Sequence, residues 1–166
     1  TGTTALRLAP HARSLLATDA SPEMVAIARE RLHAQPTPGL TFAVADADLA
    51  PFDTAGYDRV LAFNLLHLLV DLDQALAAIA HTLRPGGLFI SKTPCIAEMS
   101  PLITHRAGPL MRAVGKARPL LRLDEAQLHA AIRRAGLEVI ATERHGTRGK
   151  DVRAFVVARK PAAVRA

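Results

Sequence analysis

The stretch Leu15-Leu16-Ala17-Thr18-Asp19-Ala20-Ser21-Pro22-Glu23-Met24 decides the fold. It opens as a short apolar run of buried-strand character and ends that run on a carboxylate, Asp19. Ser21 and Pro22 then read as the cap and first position of a helix, because a serine hydroxyl satisfies an orphan N–H and proline has none to lose there. A second apolar run, Phe42-Ala43-Val44-Ala45, ends on another carboxylate, Asp46. Strand, helix and strand in this order predict a parallel sheet, and ligands of open α/β sheets sit beyond the carboxyl ends of the strands. Two carboxylates at neighbouring strand ends can grip the ribose and the base of one nucleoside. The chain therefore reads as a nucleoside-cofactor-binding α/β domain.

Working outward, the first helix is expected to run to about residue 34, with Met24, Ile27, Ala28 and Leu32 on its apolar face and Pro36, Pro38 and Gly39 breaking it. Residues 40–45 are the next strand, 48–56 a loop and 57–63 a central strand. A helix over 72–83 carries Leu72, Leu76, Ile79 and Leu83 on one face, and Pro85-Gly86-Gly87 ends it before a strand at 88–93. Residues 94–122, with Pro101, Pro109 and Pro119, read as an irregular segment covering the substrate, with a short amphipathic helix around 110–114. Asp124 caps a helix that reaches about residue 135, and Gly136 closes it. Strands at 137–143 and 152–158, joined by a short polar turn, form an antiparallel hairpin. The fold class is thus α/β, a Rossmann-like, mostly parallel sheet with helices on both faces and a C-terminal antiparallel hairpin.

The chain has 166 residues, enough for one domain over 1–166 with a sizeable core. Its 49% hydrophobic and 22% charged residues suit a soluble globular protein, and the aromatic share of 4% leaves the core to Leu, Val, Ile and Ala. The net charge of +6 invites a nucleic-acid reading, but the arginines are scattered and aromatics to stack bases are few, so no nucleic-acid partner is expected. Cys95 is the single cysteine, which excludes an intrachain disulfide and thiolate metal clusters and suits a reducing cytoplasm. His11, His33, His81, His105, His129 and His145 show no metal-ligand pairing, and no metal is expected. The most apolar window, 60–70, is interrupted by Asn64 and His67 and is too short to span a bilayer.

Each candidate residue has a plainer reading beside the functional one. Asp19 can accept from both ribose hydroxyls or merely help cap the following helix through Ser21. Asp46 can accept from an adenine amino group, with the Ala47 N–H on the ring, or be a loop carboxylate. Met24 can wall the base or pack in the core.

Taken together these motifs resemble the class I S-adenosylmethionine-dependent methyltransferases. Thr1-Gly2-Thr3 is similar to the tail of their glycine-rich first motif, and Thr18-Asp19-Ala20-Ser21-Pro22-Glu23-Met24 to their second. Ala45-Asp46-Ala47-Asp48-Leu49-Ala50-Pro51-Phe52 resembles the adenine-contacting stretch, Tyr57-Asp58-Arg59-Val60 the start of the fourth strand, and Leu83-Arg84-Pro85-Gly86-Gly87 the turn before the fifth. The resemblance implies S-adenosylmethionine as cofactor. Gly2 would lie near its methionine part, Asp19 on the ribose diol, Ala20 and Met24 beside the nucleoside, and Asp46 and Ala47 on adenine. Asn64 would approach the cofactor's amino-acid end or the acceptor. The family's first strand, which lies between those ending in Asp19 and Phe63, has no counterpart here. Two half-sheets with unpaired apolar edges are then expected, and the sequence reads as N-terminally incomplete, folding poorly and binding cofactor weakly by itself.

Asn64-Leu65-Leu66-His67 stands where methyltransferases of DNA or protein glutamine carry Asn-Pro-Pro-aromatic, so the resemblance points to the small-molecule branch. His67 is a weak candidate for a base, or a packed core histidine. Cys95 reads as a small apolar filler rather than a nucleophile. Acceptor choice should reside in 94–122 and in the hairpin turn, where Arg148, Lys150 and Arg153 offer cations to an anionic substrate or form a solvated turn. Competing readings are an NAD-dependent oxidoreductase, which also sets an acidic residue on a ribose, and a catalytically silent binding module.

Overall fold

The computed structural model describes residues 1–47, 56–98, 120–146 and 152–162. Most of the segment expected to cover the substrate, the helix expected around 110–114, Arg148 and Lys150 lie outside the described residues. The chain divides into two compact units, Thr1–Ala50 and Pro51–Ala166.

The first unit contains α1 (Thr3–Leu8), a 3-10 turn at Ala9–His11, β1 (Leu15–Asp19), α2 (Pro22–Ala34) and β2 (Leu40–Val44). The two strands are parallel, with Leu15 opposite Leu40 and Asp19 opposite Val44. Helix α2 starts where its residues dictate: the Ser21 hydroxyl accepts from the Met24 N–H at 3.2 Å, and Pro22 takes the first position. Ala9, Val25, Ala28, Leu40 and Phe42 form the buried core, with Ala5, Leu6, Leu15, Ala17 and Leu32 against it. Both helices thus contribute to the face of the ladder that carries Leu15, Ala17, Leu40 and Phe42. Leu16 points the other way and is 40% exposed.

Two expectations need correction here. Ile27 is not on the buried face of α2; it is exposed, and Val25 is buried in its place. At 3.6 residues per turn, a residue two beyond Val25 lies about 200° round the helix, whereas Ala28 and Leu32 stay near it. Helix α1 was also not anticipated. It begins at Thr3 with Gly2 as its N-cap, and the Leu6 N–H donates to the Gly2 carbonyl at 2.9 Å.

The second unit contains β3 (Tyr57–Phe63), a 3-10 turn at Leu66–Leu68, α3 (Leu72–Thr82), β4 (Leu83–Pro94), a 3-10 turn at Ile96–Glu98, α4 (Glu125–Arg134), β5 (Glu138–Gly146) and β6 (Val152–Arg159). The strand order is β3-β4-β6-β5. The β3–β4 pair is parallel, while β4–β6 and β5–β6 are antiparallel, so the expected hairpin is present. Asp71 caps α3, its Oδ1 accepting from the Gln74 N–H at 2.9 Å. Asp124 and Gln127 close a reciprocal capping box on α4. Along β4, Phe89, Ser91 and Thr93 are fully buried, as are Leu76, Leu128 and Ile132 of the helices, while Ile90, Lys92 and Pro94 are half-buried on the opposite face of the strand.

Strand β4 starts at Leu83, five residues before the expected start, so Arg84-Pro85-Gly86-Gly87 is an irregular stretch within the ladder rather than a turn ahead of it. The Gly86 N–H donates to the Lys160 carbonyl and the Lys160 N–H to the Gly87 carbonyl, each at 2.9 Å. These distant partners hold the glycine pair against the sheet, and the β3–β4 register shifts between Tyr57 and Arg59 to accommodate it. Among the described residues β1 pairs with β2 alone and β3 with β4 alone, leaving both the open edges that were expected. No described helix is long and apolar enough to cross a membrane.

Candidate functional site

In the first unit, the two strands end side by side because the Ala45 N–H donates to the Asp19 carbonyl at 3.1 Å. Asp19 is exposed, and its Oδ1 accepts from the Ser21 N–H at 3.0 Å, which turns the carboxylate over the start of α2. It therefore helps to order the helix start, as its plainer reading held, while standing at the strand end that the functional reading requires. Asp46 and Ala47 lie two and three residues beyond the end of β2 and are half-buried. Ala20 is exposed between Asp19 and the cap, and Met24 is half-buried in the first turn of α2. Asp19, Ala20, Asp46 and Ala47 thus share the carboxyl end of the β1–β2 ladder.

Gly2 lies apart from that end. A Cβ placed on it would meet the Ala28 Cβ at 2.9 Å and the Phe42 Cζ at 3.0 Å, in the middle of α2 and β2. The contact visible at Gly2 is therefore close packing of backbone on helix and strand, with φ at +77°.

In the second unit, Asn64 follows β3 and has φ of +53°, the only left-handed non-glycine among the described residues. Its N–H donates to the Lys92 carbonyl at 2.8 Å, and its Oδ1 accepts from the Arg153 Nη1 at 3.1 Å. His67, in the 3-10 turn just beyond, has an enclosed Nδ1 without a hydrogen-bond partner, and its carbonyl accepts from the Leu121 N–H at 2.9 Å. Burial first, and then the positive charge of Arg153, hold the imidazole below its ordinary pKa, so the neutral form is favoured. Cys95 is fully buried, and burial pushes its thiol up, away from a nucleophile's requirement. The apolar-filler reading of Cys95 agrees with this environment.

Three features were not read from the sequence. Asn64 and Arg153 are 89 residues apart, so their contact leaves no local signal. The hydroxyls of Ser91 and Thr93 are buried without partners, on one face of β4. His145 stacks on Phe155 at 5.3 Å between ring centroids and 7° between planes. No group of three or more metal-ligating side chains occurs among the described residues.

The first unit is a parallel strand pair with carboxylates at its carboxyl end, and the second an α/β sheet with an antiparallel C-terminal hairpin; both are Rossmann-like in character. Residues 1–87 match a family model described as a methyltransferase domain, and the chain belongs to that family, the class I S-adenosylmethionine-dependent methyltransferases. It is 38% identical over 113 residues to the ubiquinone/menaquinone biosynthesis C-methyltransferase UbiE of Acidiphilium cryptum, covering 66% of this chain and 43% of that one. It is 32% identical over 97 residues to the phthiotriol/phenolphthiotriol dimycocerosates methyltransferase of Mycobacterium tuberculosis, covering 58% and 33%. The chain thus spans less than half the length of these curated relatives. Among solved structures, an S-adenosylmethionine-dependent methyltransferase from Mesorhizobium loti superposes with a TM-score of 0.73 at 21% identity, over 89% of this chain and 81% of that one. The [4+2]-cyclase SpnF superposes with a TM-score of 0.78, also at 21% identity, over 98% and 72%. At such identities the likeness is one of fold, and a cyclase on this fold shows that the reaction must be argued from the site.

Proposed function

We propose that the protein transfers a methyl group from S-adenosylmethionine to a small-molecule acceptor. One observation carries this reading, the hydrogen bond from the Ala45 N–H to the Asp19 carbonyl that sets the ends of β1 and β2 together. Ionised carboxylates only accept hydrogen bonds, and a nucleoside offers the matching donors: two ribose hydroxyls to Asp19 and the adenine amino group to Asp46. The Ala47 N–H meets a ring nitrogen, and Ala20 and Met24 flank the base. The resemblance assigns Gly2 to the methionine part of the cofactor and Asn64 to its amino-acid end or to the acceptor.

When bound, the cofactor supplies an activated methyl on a sulfonium, whose sulfur keeps the bonding electron pair and leaves as a neutral thioether. The chain's own task is then binding and alignment, bringing the acceptor atom to about 3–3.5 Å from that carbon and in line with the departing sulfur. His67, kept neutral by burial and by Arg153, can take a proton from an acceptor that carries one. The two relatives, a ubiquinone/menaquinone biosynthesis C-methyltransferase and a phthiotriol/phenolphthiotriol dimycocerosates methyltransferase, support a small molecule rather than a nucleic acid as acceptor. Cys95, a free buried thiol, accords with a reducing compartment, and we expect the cytoplasm.

The test is a product screen on the intact protein with methyl-labelled S-adenosylmethionine and a panel of quinols, phenols and lipids. Label in an organic-soluble product supports the reading. Binding of nicotinamide dinucleotide in place of S-adenosylhomocysteine overturns it.

A further inference from the structure

Strand β2 has one partner and one outer edge. Among the described residues it pairs with β1 alone, from Leu15 opposite Leu40 to Asp19 opposite Val44. Two bonds show which backbone groups face inward. The Leu15 N–H donates to the Gly39 carbonyl at 2.8 Å, and the Ala45 N–H to the Asp19 carbonyl at 3.1 Å. Successive residues of a strand turn their backbone groups to alternate sides, so Gly39, Thr41, Ala43 and Ala45 serve β1. Leu40, Phe42 and Val44 turn theirs to the outer edge. Such an edge is a template for a further strand, and the exposure of Thr41 and Val44 leaves it within reach.

Part of that edge is occupied from within the unit. Arg29 of α2 donates to the Phe42 carbonyl from Nε at 3.3 Å and from Nη2 at 2.8 Å. A carbonyl oxygen has two lone pairs, and this one meets two donors of a charged group. Helix α2 buries Val25 and Ala28 against the ladder, so the residue after Ala28 stands on the flank of the helix. The chain entering β2 adds to the effect. The Leu40 N–H is taken by the Thr37 carbonyl at 3.3 Å, and Pro38 has no N–H to offer.

We infer that Arg29 guards the outer edge of β2 against strand addition by a second copy of this chain. The inference is independent of the methyl-donor reading. A second copy fits because an edge turned onto itself by a two-fold axis is self-complementary: each copy's outward N–H groups meet the other's carbonyls in antiparallel pairing. That pairing needs the Phe42 carbonyl, whose lone pairs the guanidinium holds. Without Arg29 this carbonyl is open to water or to another strand, so the consequence falls on association.

Sedimentation velocity of the intact protein over a concentration series tests this, with circular dichroism to check folding. Arg29→Met keeps an aliphatic stem and loses both donors. It should raise the self-association constant about 10-fold over the wild type, the worth of one charge-assisted hydrogen bond. Val44→Pro added to Arg29→Met should return association to the wild-type level, because proline removes an outward N–H and leaves the bonds to β1 in place. A folded Arg29→Met with wild-type association overturns the inference. So does a double variant that associates as strongly as Arg29→Met, which places the contact elsewhere on the molecule. Should Arg29→Met fail to fold, Arg29→Gln, which loses the charge and the fork but stays polar at an exposed helix position, gives the same comparison.

Discussion

Asp19 and Val44 face each other across the last rung of the parallel β1–β2 ladder, so Asp46 leaves β2 only two residues beyond the level at which Asp19 ends β1. That register gives both carboxylates to one end of the ladder. Asp19→Ala should therefore weaken S-adenosylhomocysteine binding by about 10- to 100-fold, the loss of one or two charge-assisted hydrogen bonds. The helix cap on Ser21 survives the change, since it uses the serine hydroxyl, so the thermal midpoint should move by a few degrees at most. Titration calorimetry and melting curves separate the two effects. Unchanged affinity in Asp19→Ala would assign the residue to helix capping alone.

Gly2 carries a different load. A Cβ there would press on Ala28 and Phe42 at 2.9 and 3.0 Å, with the backbone already at φ of +77°. Gly2→Ala should cost about 1–3 kcal/mol of stability through left-handed strain and overpacking. Urea denaturation measures it, and a variant as stable as the wild type would show that α1 does not pack as described.

His67 makes stability depend on pH. Its folded-state pKa is lowered by burial and by Arg153, so between that value and the ordinary imidazole value of about 6.5 the unfolded chain holds a proton that the folded chain lacks. Stability should therefore rise with pH through that window and level off above it, falling again as the pH drops. His67→Gln should flatten this part of the profile. Denaturation midpoints between about pH 5 and 8 check it, and identical slopes for the two proteins would contradict it.

Helix α4 depends on its capping box. The Gln127 N–H donates to the Asp124 Oδ1 at 2.7 Å, and the Asp124 N–H to the Gln127 Oε1 at 3.1 Å. Asp124→Ala should cost about 1 kcal/mol, read by denaturant titration, and Asp124→Ser should recover most of it.

What could be read in advance follows the range of the interaction involved. Strand β3 was expected over the residues it occupies, and the caps at Ser21 and Asp124 were identified, because each is set by neighbours within a few positions. The strand-end positions of Asp19 and Asp46 were legible for the same reason. The early start of β4 was not, because Gly86 and Gly87 take their backbone partners from Lys160 near the other end of the chain. Val25 displaced Ile27 from the buried face of α2 because the helix phase is set by what it packs against, here β1 and β2. The pairing of Asn64 with Arg153 joins the end of one strand to another that follows it by nearly ninety residues, which no local pattern encodes.

A crystal structure of the intact protein with S-adenosylhomocysteine tests the central claim most directly. The account predicts the Asp19 carboxylate within about 3 Å of both ribose hydroxyls and Asp46 at a similar distance from the adenine amino group. A ligand seated elsewhere, with Asp19 engaged only by the Ser21 N–H, would contradict it.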